Sequence, residues 1–224
     1  MIEPGDRVAV GLSGGKDSLL LTHGLSLYRR VRKDFTLHAI MLTMGPEAPD
    51  TSEIEAFCKA EDVPLVVRYT DLYQIVFELR SDRSPCPLCA KMRRAMLCEL
   101  SKELDCNKLA LAHHREDALE TFLMSLIYEG RIHTFHPKTY MSRSDITVIR
   151  PMVYMPEKEV IHMQKELSLP VQRNACPANG NTKRQEMKEL LDELAKRYPN
   201  LRETMLSALK NDGQYSLWEK DGPR

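Results

Sequence analysis

Gly11-Leu12-Ser13-Gly14-Gly15-Lys16-Asp17-Ser18 is the stretch that decides how this chain is read. The apolar run Val8, Ala9, Val10 leads into it, and Leu21, Leu25 and Tyr28 follow at helical spacing. Strand, small-residue turn and helix in that order make an anion site. The glycines permit a sharp turn, and the first amides of the helix point unpaired into the mouth of the loop. Lys16 adds a positive charge, and Ser13 and Ser18 add hydroxyl donors. A phosphate group is the expected occupant. The Walker pattern fails because Asp17 follows Lys16, and the dinucleotide glycine pattern fails too. The bland alternative is an ordinary turn with helix-capping residues; strand, loop and helix falling where an anion site needs them favour the phosphate.

The whole chain has 224 residues, enough for one α/β domain with a sizeable core, so 1–224 is expected to be a single domain. Its 32 basic and 32 acidic residues balance, which neither demands nor excludes a nucleic-acid partner. No apolar run is long enough to span a bilayer and no signal peptide is evident, so a soluble cytoplasmic protein with no membrane partner is expected. Six cysteines are too few for a secreted disulfide scaffold and lean toward metal or redox chemistry.

Apolar runs predict further strands over 35–43, 63–68, 108–112 and 146–150. Periodic segments predict helices from Thr51 or Ser52 to Ala60, over 72–79, 88–104, 116–128 and 156–167, and from about Thr182 onward. Pro85 and Pro87 predict a loop over 81–87, and 130–145 reads as an irregular polar loop. Strands alternating with helices call for an open parallel five-stranded sheet covered on both faces, with a cysteine-bearing loop and C-terminal helices over 171–224 packed on it. Ligands of such sheets bind beyond the carboxyl ends of the strands. If the first and fourth strands are neighbours, the loops that follow them open onto one crevice.

The second of those loops carries His113, His114, Glu116 and Asp117. A hard cation prefers carboxylate and phosphate oxygens, so Asp17 and Asp117 are candidate Mg²⁺ ligands; alternatively, Glu116 and Asp117 only complement the positive end of the next helix. Cys86-Pro87-Leu88-Cys89 can grip one metal centre or cycle as a dithiol. Cys58, Cys98 and Cys106 read as small core residues, whereas Cys176 sits in a polar irregular segment with Pro177 and Gly180. Arg29, Arg30, Arg32 and Lys33 form one basic cluster, and Lys91, Arg93 and Arg94 another beside the cysteines. Either could bind phosphate backbone or be a solvated helix face.

The Ser13–Ser18 loop resembles the PP-loop of the ATP pyrophosphatases, which split ATP between its α and β phosphates and transfer AMP. Taken with Cys86-x-x-Cys89, Lys91-Met92-Arg93-Arg94, the double histidine, Ile149-Arg150-Pro151-Met152, Cys176 eight residues before Arg184-Gln185, and Lys196-Arg197-Tyr198-Pro199, the chain resembles the tRNA 2-thiocytidine synthetase family. Many members carry a further cysteine where this chain has Arg173. The resemblance implies the adenine nucleotide alpha hydrolase-like fold and an enzyme that adenylates C2–O of a cytidine in tRNA and replaces that oxygen with sulfur. It implies ATP held by Ser13, Gly14, Gly15, Lys16, Asp17, Ser18 and His114. Lys16, Asp17 and Asp117 are implied as catalytic residues, with Mg²⁺ at the phosphates. A [4Fe–4S] cluster on Cys86, Cys89 and Cys176 is implied, and tRNA and a sulfur donor such as a cysteine desulfurase as partners. A homodimer is left open. So are thiolation of another base or a small molecule, a cluster-free tRNA-modifying ligase, and a non-catalytic redox sensor using Cys86 and Cys89.

Overall fold

Val8, Ala9 and Val10 are wholly buried in β1 (Arg7–Gly11), the strand that feeds the phosphate loop. A computed structural model describes residues 1–43, 50–79, 85–172, 182–211 and 213. β1 pairs in parallel with β2 (Thr36–Leu42) on one side and with β4 (Lys108–Ala110) on the other. β3 (Leu65–Arg68) extends the sheet beyond β2, and β6 (Ile146–Ile149) beyond β4, both in parallel. These are the five expected strands, and the first and fourth are neighbours as the crevice requires.

A sixth strand corrects the five-stranded expectation. β5 (Lys138–Met141) lies antiparallel to β6 at the sheet edge, giving the order β3-β2-β1-β4-β6-β5. It falls inside the stretch read as an irregular loop. An edge strand has one hydrogen-bonded neighbour and one open side, so Lys138 and Tyr140 can stay exposed, and no apolar run marks it.

Alternate residues of the strands face opposite layers. Val8 and Val10 pack toward α1 (Lys16–Arg32), α2 (Ser52–Ala60) and α5 (Glu157–Glu166), through Leu19, Ile54 and Val160. Ala9 and Ile40 pack toward α3 (Cys86–Glu103), through Leu97 and Leu100. Outside this sandwich, Leu119 and Leu123 of α4 (Arg115–Glu129) meet Met187 and Leu191 of α6 (Lys183–Arg197), with α7 (Leu201–Lys210) against them. The helical C-terminal region is thus fastened to α4, the helix that opens at the second loaded loop. Residues 72–79 hold a π-helical turn over Gln74–Leu79.

The start of α3 differs from expectation in a way that bears on chemistry. Pro87 sits inside the first helical turn, where its missing N–H has no intrahelical partner to lose. The helix therefore opens at Cys86, and Cys86 and Cys89, three residues apart, share one face of its first turn. Cys58, Cys98 and Cys106 are buried as expected, and burial pushes the thiols of Cys58 and Cys106 up to about 11. Among the described residues no helix is long and apolar enough to cross a membrane.

Candidate active site

The phosphate loop is shaped by one hydroxyl. Ser18 Oγ accepts the N–H of Ser13 at 3.1 Å and donates to the carbonyl of Gly15 at 2.9 Å, knitting the turn from inside. Ser13 stays exposed, its own hydroxyl 3.1 Å from that of Ser18. Gly14 has φ +76°, a left-handed backbone that glycine adopts without strain. Gln172 leans on it: its N–H donates to Gly14 O at 2.9 Å and its side-chain amide to Asp50 O at 2.7 Å. Gly15 is the N-cap of α1 and no side chain caps that helix, which leaves its leading amides for a ligand.

Lys16 Nζ lies 3.0 Å from Asp17 Oδ1 and 3.2 Å from Glu157 Oε1. Burial opposes its charge, yet Asp17 and Glu157 hold its pKa above the ordinary lysine value. Glu157 opens α5 and also accepts two hydrogen bonds from Lys188 Nζ of α6, at 2.7 and 3.0 Å. Burial would raise the pKa of Glu157, but Lys188 and Lys16 keep it below the usual carboxylate range. The backbone N–H of Glu157 donates to Glu116 Oε2 at 2.7 Å, so buried Glu116 pins the start of α5 to the start of α4. Sequence reasoning missed Glu157 and Lys188. A lone carboxylate in the first turn of a helix reads as a complement to its dipole, and only the packing of α5 on α1 brings it to Lys16.

His114 is the N-cap of α4, and its backbone N–H donates to Asp117 Oδ2 at 2.9 Å. Its buried imidazole is ringed by carboxylates: Nε2 lies 3.6 Å from Asp117 Oδ2 and 3.9 Å from both Asp17 Oδ1 and Glu157 Oε1. Asp17 and Asp117 thus approach the same nitrogen. Asp117 Oδ1 accepts from Arg184 Nη1 of α6 at 3.2 Å, and Arg184 also reaches Glu120 and Thr121. Asp117 Oδ2 thus caps the helix and also faces His114, while Oδ1 is tied to Arg184.

Between the two loops lies a cleft of about 240 Å³, walled by Ser13, Asp17, Arg93, Leu97, His113 and Asp117. Of the two histidines it is His113 that lines this cleft, packed on Phe135 with ring centroids 4.8 Å apart. Burial pushes its pKa down to about 4, so the imidazole is neutral at physiological pH. Among the described residues His113 Nδ1 is buried without a hydrogen-bond partner, and buried Asp17 Oδ1 has the Lys16 ammonium at 3.0 Å but accepts no hydrogen bond of good geometry. A carboxylate oxygen with accepting capacity to spare is the hard donor that a Mg²⁺ ion takes.

Arg93 reaches the cleft from α3, one turn beyond Cys89. Cys86 is exposed and Cys89 half-buried, an accessible thiol pair that fits an iron–sulfur cluster rather than a closed core. Cys176 lies outside the described residues, and among the described ones no three His, Cys, Asp or Glu side chains are grouped to hold a metal ion. The two basic clusters separate clearly. Arg29 pairs with Asp62, Arg30 with Glu61 and Arg32 with Asp34, whereas Lys91, Arg93 and Arg94 make no ion pair with a described residue.

A mostly parallel sheet with an uncapped glycine-rich loop after its central strand, and carboxylates beside it, defines a nucleotide-binding α/β protein. Comparison with known proteins gives the family. Residues 3–194 match the PP-loop domain, an ATP-binding family. The chain is 38% identical over 215 residues to a tRNA-cytidine(32) 2-sulfurtransferase of Pelobacter propionicus, covering 94% of this chain and 80% of that one. The corresponding protein of Syntrophotalea carbinolica is 39% identical over 215 residues, with 94% and 83% covered. Among solved structures, the U34-tRNA thiolase NcsA from Methanococcus maripaludis with its [4Fe–4S] cluster superimposes with a TM-score of 0.79 at 25% identity, covering 98% of this chain and 75% of that one. The chain belongs to the PP-loop family of ATP pyrophosphatase-type enzymes, on the branch of the tRNA-cytidine(32) 2-sulfurtransferases.

Proposed function

We propose that this protein is an ATP-dependent sulfurtransferase that converts a cytidine of tRNA to 2-thiocytidine. The observation that carries this reading is the meeting of two chemistries at one cleft. The phosphate loop and His113 form one wall, and the other comes from the helix that opens with Cys86 and Cys89. The names of the relatives and the cluster of the M. maripaludis thiolase support it.

In the first step the 2-keto oxygen of the cytidine attacks the α-phosphorus of ATP, the bond to the bridging oxygen breaks, and pyrophosphate leaves. The loop amides around Ser13, Gly14, Gly15 and Ser18, together with Lys16, stabilise the charge that builds on the phosphates. Asp17 and Glu157 keep Lys16 charged and aimed. Asp17 and Asp117 would hold Mg²⁺, which offsets phosphate charge when bound, with His114 buried behind them. In the second step sulfur adds at C2 and AMP departs with the former base oxygen; an amide-like oxygen is a poor leaving group, and adenylation makes it a good one. Cys86, Cys89 and Cys176 would hold a [4Fe–4S] cluster, which when bound supplies an iron without a protein thiolate, able to carry sulfur. Gln172 and Arg184, fastened to Gly14 and Asp117, flank the segment that carries Cys176, and this supports a third thiol at the same cleft. A cysteine desulfurase or similar donor would supply the sulfur as a persulfide, and a two-electron thiol reductant would release it as the sulfide that adds at C2.

Nucleoside mass spectrometry of tRNA from cells with and without the protein tests the reading. 2-Thiocytidine should vanish in its absence, and the purified protein should release AMP and pyrophosphate from ATP. Unchanged 2-thiocytidine, or ADP and orthophosphate as the only products, overturns it.

A further inference from the structure

Next to the phosphate cleft is a second concavity of about 450 Å³, within the usual range for a small-molecule site. His113, in the wall of the cleft, packs on Phe135, in the wall of this groove, so the two are contiguous. The groove is walled by the 130–137 loop, the turn after β6 and the last residues of α7. Its polar and aromatic residues are His133, Thr134, Phe135, His136, Tyr154 and Lys210, and among the described residues no Asp or Glu lines it.

The walls differ in stiffness and exposure. Arg150 sits 4.8 Å from the ring of Phe135 and donates to His136 O at 2.7 Å, which fixes that side. Tyr154 is 48% exposed. Lys210 Nζ lies 4.4 Å from its ring centroid, so the ammonium is held at the groove by an aromatic face, and no described carboxylate pairs with it. A flat ring, an ammonium and no described carboxylate complement a stacked base with its phosphate.

We propose that this groove binds unpaired RNA, taking a nucleotide that flanks the base undergoing modification. The base stacks on Tyr154, and Lys210 and His136 meet the backbone phosphate. The proposal rests on the tRNA reading given above and names the surface that the substrate uses. It places the RNA entry beside His113.

Fluorescence anisotropy on the full chain, with a labelled RNA hairpin and with a blunt duplex of the same stem, tests it. The hairpin should bind more tightly than the duplex. Tyr154→Ala should weaken hairpin binding roughly tenfold, the effect of losing one stacked base, and Tyr154→Phe should restore it. Lys210→Met should make the slope of log affinity against log salt shallower by roughly 0.7, one phosphate contact on a single strand. Tyr69→Ala, at an exposed tyrosine just beyond β3, should bind as the wild type does. Tyr154 and Lys210 are exposed, and unchanged unfolding midpoints would separate lost binding from lost fold. If Tyr154→Ala and Lys210→Met bind with wild-type affinity and salt slope, the groove assignment falls while the tRNA reading stands. A wild-type protein that binds no hairpin brings down both.

Discussion

Lys16 shows what a single residue of this chain can and cannot announce. Its place in the loop sequence marks a phosphate ligand; of its two carboxylate partners, Asp17 is its neighbour in the chain, but Glu157 comes from a helix more than a hundred residues away. Lys16→Ala should reduce AMP formation by about 10²–10³, the usual cost of one preorganised charge, with the fold intact because the side chain is partly exposed. Glu157→Gln should reduce it about tenfold, since Lys16 then keeps Asp17 alone; pyrophosphate exchange measures both, and wild-type exchange in Glu157→Gln refutes its positioning role. Two buried groups set opposing pH dependences. Burial, helped by Asp117, pushes the Glu120 carboxyl up to about 7 from 4.5, so native protein keeps a proton that unfolded chain releases and stability falls as pH rises between those values. His113, at about 4 against 6.5, does the reverse, and stability rises with pH across its window. From 4.5 to 6.5 the two cancel. Glu120→Gln should therefore unmask a rise in stability over that range, approaching about 1.4 kcal/mol per pH unit relative to wild type. Urea unfolding at pH 5 and 6.5 reads it, and parallel profiles for the two proteins would rule it out.

At the scale of elements, the strand–loop–helix unit around Gly14 was legible because each part obeys its local rule. Gly14 and Gly24 make the distinction measurable. A Cβ on Gly14 would sit at φ +76° and 3.0 Å from the side-chain oxygen of Gln172, whereas one on Gly24, within α1, meets nothing within 4 Å. Gly14→Ala should cost roughly 1–2 kcal/mol and weaken ATP binding. Gly24→Ala should raise stability by about 0.5–1 kcal/mol, the helical cost of glycine. Calorimetry with and without ATP compares them, and a Gly14→Ala protein with wild-type stability and affinity would show that the loop geometry is not required. Other elements were harder to read. β5 has no apolar run because its outer side is open, and α3 begins two residues early because proline breaks only helix interiors.

The whole molecule decides which loaded residues meet. The α6 contacts of Arg184 and Lys188 carry the C-terminal region back onto the phosphate site; Gln172 is hydrogen-bonded to Gly14 and Arg184 to Asp117, and Cys176 falls between these two residues in sequence. Anaerobic reconstitution should give a Cys176→Ala protein that loses iron, sulfide and thiolation, whereas Cys98→Ala, changed in the buried α3 layer, should keep all three. A full cluster on Cys176→Ala would remove that residue from the ligand set. The sequence by itself determined the phosphate loop, the five parallel strands, the core role of Cys58, Cys98 and Cys106, and the family, because these follow from local spacing, strand–helix periodicity and contiguous motifs. Only the tertiary structure decided that Glu157 and Lys188 stand behind Lys16, that His113 rather than His114 lines the cleft, and that the Arg29–Lys33 cluster is largely tied up in ion pairs while Lys91, Arg93 and Arg94 have none with a described residue. Those are long-range meetings of charged groups. A charge on a helix has the same sequence signature whether it faces water or a partner brought to it by packing.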